Sequence, residues 1–199
     1  LAADAHWLSR NQLPSGMWGY KSRRESNRGD NSNTQFAVIG LRDASLAGVE
    51  VGRRTWGRLR QHYTQTQLPD GGWSYRPAEE GDAENTVSSV TVTAPSLASL
   101  MIVNDELQKA VGCPCGQGSS TGGRLQEEHV EKGIQWLIKC FEGDTDANLG
   151  AAQKWATYFY YGLQRAGQAS GLKTFGRHDW YKKGSSSMYA RSRSKCVRP

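Results

Sequence analysis

The 199-residue sequence predicts an all-α fold built of helical hairpins, and two observations support that prediction. The first is a repeated phrase, since residues 12–20 read QLPSGMWGY and residues 67–75 read QLPDGGWSY. A spacing of 55 residues is typical of stacked supersecondary units. The second is an alternation between segments that are apolar almost all round and segments with one apolar stripe. No alternating strand pattern interrupts it.

The first hairpin is predicted from residues 33–66. Residues 33–48 are apolar almost all round, which indicates a helix buried on most sides. Gly48 is a plausible end for it, and one of three polar residues could cap its start: Asn31, Ser32 or Asn33. Residues 51–66 carry one apolar face, formed by Trp56, Leu59 and Tyr63, and therefore predict an outer, amphipathic helix.

The same alternation continues to the end of the chain. Residues 93–103 and 154–166 predict two more buried helices, with Pro95 placed in the first turn of the former. Residues 127–141 and 177–190 predict two more outer helices. The chain therefore supplies about three hairpins.

Composition excludes two broad classes of function. The net charge of +6 is confined to residues 177–199, where seven Lys or Arg face one acid, while residues 1–176 hold 18 basic and 18 acidic residues. A balanced body argues against nucleic-acid binding. No run of 18 apolar residues exists, so no transmembrane segment is expected. Four cysteines provide no disulfide framework for a chain of this length.

The repeated phrase resembles the QW repeat of the terpenoid cyclase and protein prenyltransferase superfamily, which includes the squalene cyclases. Two near-complete copies and the opening of a third are matched by Gln12, Gly16, Trp18, Gln67, Gly71, Trp73 and Trp136. Residues 29–37 and 158–181 are also similar to bacterial proteins that carry this repeat. The resemblance implies an α/α toroid, a ring of stacked hairpins, over residues 1–190, and a purely structural role for the seven motif residues.

Three hairpins are fewer than a closed toroid of this superfamily uses. Residues 191–199 read RSRSKCVRP where another copy of the repeat would follow, and the chain opens at Leu1. We therefore expect an incomplete toroid, with residues 191–199 as an atypical basic tail that is truncated or misread.

Candidate catalytic groups are weak at the sequence level. Residues 144–146 read Asp-Thr-Asp but lack the last carboxylate of the cyclase Asp-x-Asp-Asp acid. The one local cluster of thiols and an imidazole in the sequence is formed by Cys113, Cys115, His129 and Cys140. Its spacing fits no standard zinc pattern. The pair His178-Asp179 reads more simply as a helix cap than as an acid/base pair. We therefore assign no catalytic residue, no metal and no cofactor.

The resemblance also implies where a ligand would bind, because inner-helix N-termini surround the central cavity of such toroids. The residues at those positions are Asn33, Gln35, Thr93, Tyr158 and Tyr161. Aromatic and amide groups there could bind an apolar or carbohydrate-like ligand. The alternative is that these side chains only pack and cap the helices.

The leading functional prediction is a non-catalytic binding or scaffolding module of a larger bacterial protein. Its partners would be an apolar or isoprenoid-like ligand, or a protein that contacts the helix array. The competing prediction is a fragment of an isoprenoid-processing enzyme, a squalene-hopene-type cyclase or a prenyltransferase. The sequence does not predict a compartment.

Overall fold

The computed structural model describes residues 1–77, 87–109, 127–142 and 155–186. Six helices are named here in chain order: α1 Ala2–Asn11, α2 Asn31–Leu46, α3 Arg53–Thr66, α4 Val90–Lys109, α5 Glu128–Glu142 and α6 Ala156–Ser170. Two short antiparallel strands follow, β1 Thr174–Phe175 and β2 His178–Asp179, and residues 180–186 are helical. The all-α prediction is confirmed. The predicted tail, residues 191–199, lies outside the described residues.

The predicted outer helix over residues 177–190 begins only at residue 180, because β2 occupies residues 178 and 179. The other predicted helices agree with α2 to α6 within four residues, except that α4 runs to Lys109, six residues past its predicted end. That helix begins at Val90, so Pro95 lies inside the helix and not in its first turn. The prediction was wrong because the polar, β-branched residues before it carry no clear helical signal. Pro95 is tolerated near the start of α4 because few intrahelical bonds precede it, and its ring packs against Gly162 of α6, where there is no Cβ to obstruct it.

The predicted cap of α2 was displaced by one residue. Asp30, not one of residues 31–33, is the N-cap, and its Oδ1 accepts the Asn33 backbone N–H at 2.8 Å. Asn31 does not cap the helix, and its side-chain amide instead donates to the carbonyl oxygen of Ser74 at 2.9 Å. This bond joins the start of α2 to the second copy of the repeated phrase.

Helix α4 is the centre of the fold. It packs against α2, α3, α5 and α6, and Val92 through Met101 are all buried. The amphipathic helices α3 and α5 contribute their apolar stripes, including Leu59 and Leu137, to the same core. Arg42 of α2 pairs with Glu106 at the other end of α4 at 2.8 Å, so α2 is fastened along the length of α4.

Helix α6 lies on α4 and carries the last part of the fold. Leu163 and Phe159 face the core, while the chain beyond α6 turns back through the β1–β2 hairpin. Within the described residues, no helix is both long and apolar enough to cross a bilayer. Residues 180–186 pack on α6, where the ring of Trp180 contacts Gly167.

Candidate functional site

The first copy of the repeated phrase forms a tight turn between α1 and α2. Gln12 is buried, and its Nε2 donates to the carbonyl oxygens of Gly16 and Thr55, both at 3.1 Å. Gly16 has φ +89°, and a Cβ there would lie 2.5 Å from the Arg58 carbonyl oxygen. The glutamine thus closes its own turn and fastens it to the start of α3, and only glycine fits the contact.

The second copy repeats this arrangement at the start of α5. Gln67 Nε2 donates to the carbonyl oxygens of Gly71 at 2.9 Å and His129 at 2.8 Å. Gly71 has φ +95°, and a Cβ there would lie 2.5 Å from the Lys132 carbonyl oxygen. Because Gln67 Oε1 can only accept, His129 Nδ1 donates to it, at 2.7 Å. His129 is therefore engaged in the turn.

Trp18 joins the first turn to two helices. Its backbone N–H donates to Thr34 Oγ1 at 3.1 Å, and its indole Nε1 donates to the Leu8 carbonyl oxygen at 3.0 Å. The ring is buried in the core. Trp18 therefore holds the end of α1 against the start of α2.

Trp73 makes the same two bonds in the second turn. Its backbone N–H donates to Thr93 Oγ1 at 3.0 Å, and its indole Nε1 donates to the Tyr63 carbonyl oxygen at 2.9 Å. The ring packs against Gly133 of α5, where a Cβ would lie 3.2 Å from it. Thr93, one of the predicted cavity residues, is fully buried in this structural contact.

Trp136 differs from these two tryptophans. Its indole Nε1 donates to Asp70 Oδ2 at 2.9 Å, and the other oxygen of Asp70 accepts from Ser88 Oγ at 2.6 Å and the Gly72 backbone N–H at 3.0 Å. Partial burial opposes ionisation of Asp70, but these hydrogen bonds outweigh it and lower the pKa of the carboxyl. Trp136 therefore ties α5 to the second turn through a carboxylate.

The structure gives Asn33 and Gln35, two further predicted cavity residues, different surroundings. Asn33 donates from its backbone and its side-chain amide to the two oxygens of Asp30, each at 2.8 Å, which is helix capping. Gln35 is buried, and its Nε2 donates to the hydroxyl of Tyr158 at 2.5 Å. Gln35 thus links α2 directly to α6.

An aromatic cluster surrounds this link. Phe36 stacks on Tyr161 with ring centroids 6.1 Å apart and lies 6.4 Å from the ring of Tyr158. The Phe36 side chain is 52% exposed, so the cluster faces solvent. The guanidinium carbon of Arg165 lies 5.1 Å from the centroid of the Tyr161 ring.

Tyr161 also lines a groove of about 330 Å³ between α6 and the helical residues 180–186. Its aromatic and amide walls are Tyr160, Tyr161, Gln164, Trp180 and Tyr181, and the remaining lining residues are threonine, leucine, glycine and serine. Among these described residues no carboxylate, imidazole, thiol or amine lines the groove. The groove can therefore exclude water from an apolar ligand, and its polar groups are hydroxyls and one side-chain amide.

Trp180 is held rigidly as one wall of this groove. Its indole Nε1 donates to the Leu172 carbonyl oxygen at 2.7 Å, and its ring packs so closely on Gly167 that a Cβ there would lie 2.2 Å from it. Asp179 Oδ1 accepts the Lys182 backbone N–H at 2.9 Å. The helix-cap interpretation of Asp179 is thus confirmed, and this cap fixes the start of the helix that carries Trp180 and Tyr181.

Of the five predicted cavity residues, Tyr161 lines the groove and Tyr158 adjoins Tyr161 through Phe36. The prediction that all five border one cavity stays a prediction. Sequence analysis missed the groove itself. The available signal was the pairing of Tyr160 with Gln164 at i, i+4 on one helix, followed by adjacent aromatic residues at the start of the next.

The other candidate groups are in structural surroundings or outside the described residues. Cys140 is buried, and burial raises the pKa of its thiol, which disfavours the nucleophilic thiolate. Cys113, Cys115 and the acidic residues 144–146 lie outside the described residues. Within the described part of the chain, no three His, Cys, Asp or Glu side chains are grouped so as to hold a metal ion.

Scans of the chain against protein-family models, curated proteins and solved structures each gave no match. What the chain does must therefore be inferred from its own contacts. Two features stand out from the geometry: the duplicated Gln-Gly-Trp turn and the aromatic groove on α6.

Proposed function

We propose that this chain is an α/α-toroid repeat domain of the terpenoid cyclase and prenyltransferase type, serving as a non-catalytic binding or scaffolding module of a larger bacterial protein. The duplicated turn supports the repeat architecture, because the bonds of Gln12 and Trp18 recur at Gln67 and Trp73 with equivalent partners. Stacked hairpins require each unit to contact its neighbour in the same way, and the two turns do so.

The observation that supports binding over catalysis is the chemistry of the groove. An aromatic groove of about 330 Å³ has the size and apolarity of a small-ligand site, and its described lining holds hydroxyl groups but no carboxylate, imidazole, thiol or amine. Tyr160, Tyr161 and Trp180 present broad apolar surfaces at a small cost in side-chain entropy. The proposed occupant is an apolar, isoprenoid-like chain.

The test is titration of the full chain with farnesol, a neutral isoprenoid alcohol, by isothermal titration calorimetry. Gln164 lies in the groove and is exposed, so Gln164→Trp should fill the groove and reduce affinity at least tenfold without disturbing the core. Gln168→Trp is the matched control, one turn further along α6, exposed and outside the groove lining. Farnesol that does not bind, or that binds Gln164→Trp and the wild type equally, would contradict the proposal.

The competing function is a fragment of an isoprenoid-processing enzyme. One feature favours it: aromatic rings such as those of Tyr161 and Trp180 can stabilise a cationic intermediate by cation–π interaction. Incubation with squalene and with farnesyl diphosphate, followed by mass spectrometry of the products, decides between the two. Turnover above the rate without protein would replace the non-catalytic proposal.

A further inference from the structure

The groove on α6 has a cationic edge. Arg165 follows Tyr161 by four residues on α6, and its guanidinium carbon lies 5.1 Å from the centroid of that ring. Because Tyr161 is itself a wall of the groove, this contact fixes a positive charge beside the apolar lining. Arg165 forms no salt bridge with any carboxylate of the described residues.

The surrounding chain does not balance this charge. From Ala156 to Ser186 the sequence carries five basic residues and one acid: Arg165, Lys173, Arg177, Lys182, Lys183 and Asp179. The single carboxylate, Asp179, already accepts the Lys182 backbone N–H as a helix cap. Lys183 is turned toward another ring, with its Nζ 5.3 Å from the centroid of Phe141. Arg165 is therefore a cation placed against a groove wall.

We propose that the groove binds an amphiphile whose apolar chain lies between the aromatic walls and whose anionic head group pairs with Arg165. The inference rests on the proposed function, because it names the ligand class for the same groove. A guanidinium offers N–H donors in a fork that matches two oxygens of a carboxylate or a phosphate. The groove lining contributes no charge that would repel such a head group.

The experiment compares four probes with the same ten-carbon chain on the full-length protein by isothermal titration calorimetry, below their critical micelle concentrations. The probes are decanoate, decyl phosphate, decanol and decyltrimethylammonium. We expect at least one anion to bind about tenfold more tightly than decanol, and the cation to bind more weakly than decanol. Which anion binds better distinguishes a carboxylate from a phosphate head group.

Arg165→Gln should remove the preference for the anions over decanol. Arg165→Lys should retain part of the preference, because it keeps the charge but not the fork. Lys173→Gln is the matched control, since it makes the same change of charge at an exposed position outside the groove lining. Circular dichroism and the thermal midpoint of each variant show whether it is folded.

The outcomes separate this inference from the proposed function. If decanol binds as tightly as both anions, the role of Arg165 is overturned while the apolar groove stands. If no probe binds but farnesol does, the head-group proposal fails and the proposed function stands, and if farnesol does not bind either, both proposals fail. If folded Arg165→Gln loses decanol as well as the anions, Arg165 shapes the groove and does not recognise the head group.

Discussion

At the scale of single residues, the buried imidazole of His62 makes the fold sensitive to acid. Asn31 donates from Nδ2 to the Ser74 carbonyl oxygen, so its Oδ1 faces His62, and the Nε2–Oδ1 distance is 2.7 Å. Since that oxygen can only accept, Nε2 carries the proton of a neutral ring. Burial disfavours the charged form and lowers the pKa of His62 to about 4.

This low pKa predicts a loss of stability between about pH 6.5, the ordinary histidine pKa, and pH 4. In that range the unfolded chain binds a proton that the folded protein does not. The contribution of neutral His62 to the free energy of unfolding is therefore complete above about pH 6.5 and is lost as the pH drops. The expected loss is about 3 kcal/mol, measured by urea denaturation at pH 7 and pH 4. Asp70 and Glu106 also have lowered pKa values and add to the acid dependence.

His62→Gln isolates the histidine contribution. The amide can still donate to Asn31 but does not titrate, so the variant should lose less stability on acidification than the wild type. The Asp70 and Glu106 contributions are the same in both proteins and cancel in the comparison. Equal losses in the two proteins would mean that His62 is not the group that titrates.

At the scale of the element, the duplicated turn was predictable because each of its parts is specified within a few residues. A glutamine, a glycine and a tryptophan at fixed spacing indicated a structural role, and Gln12 and Gln67 donate the same pair of hydrogen bonds in the two turns. The cap of α2 was not predictable to the residue, because residues 30–33 are all of the types that cap helices.

Other elements had no sufficient local signal. The strands β1 and β2 are two residues long each, too short for an alternating pattern. The groove depends on the approach of Tyr161 to Trp180, which stand on different elements with a β-hairpin between them. Periodicity shows which residues share one helix face, but it does not show which helix lies opposite.

The glycines of the two turns give the element-scale prediction. Gly16→Ala and Gly71→Ala each place a Cβ 2.5 Å from a backbone oxygen at a positive φ, so each should lower the free energy of unfolding by about 2 kcal/mol or more. Gly57→Ala is the control, because Gly57 is an exposed residue inside α3 with nothing within 4 Å of a Cβ. It should raise stability by about 0.5–1 kcal/mol.

Urea denaturation of the three variants measures these differences. A similar loss in Gly16→Ala and Gly71→Ala supports equivalent turns, as a stacked repeat requires. If either turn variant behaved like Gly57→Ala, that turn would not be held against its outer helix as described.

At the scale of the whole molecule, the position of α4 decides whether the hairpins unfold together or one by one. Stacked repeats can lose a terminal unit first, because each unit contacts only its neighbours. Here α4 contacts α2, α3, α5 and α6, and each of these helices contributes residues to one buried cluster. Loss of α6 would expose the buried side of α4 to water, which opposes unfolding of α6 alone.

Gly162→Ala tests this cooperativity at the contact between α4 and α6. The added Cβ would lie 2.6 Å from Pro95 Cδ, so the two helices must separate, and we expect about 1–3 kcal/mol of destabilisation. Gly184→Ala is the matched control, with an ordinary 3.4 Å contact to Tyr160. The measurement is urea unfolding followed in parallel by far-ultraviolet circular dichroism and tryptophan fluorescence.

The two signals should fall at one lower midpoint with an unchanged m-value, because weakening one face of α4 weakens every helix that packs on it. Transitions that do not coincide would show that the hairpins separate stepwise, with a terminal unit such as the α6 hairpin first. The apolar groove would then be lost while α1 to α5 stay folded, so ligand binding and global stability would respond differently to denaturant. Coincident transitions would instead show that the groove is as stable as the domain, and a bound ligand would then stabilise the whole molecule by an amount that grows with the logarithm of its concentration over Kd.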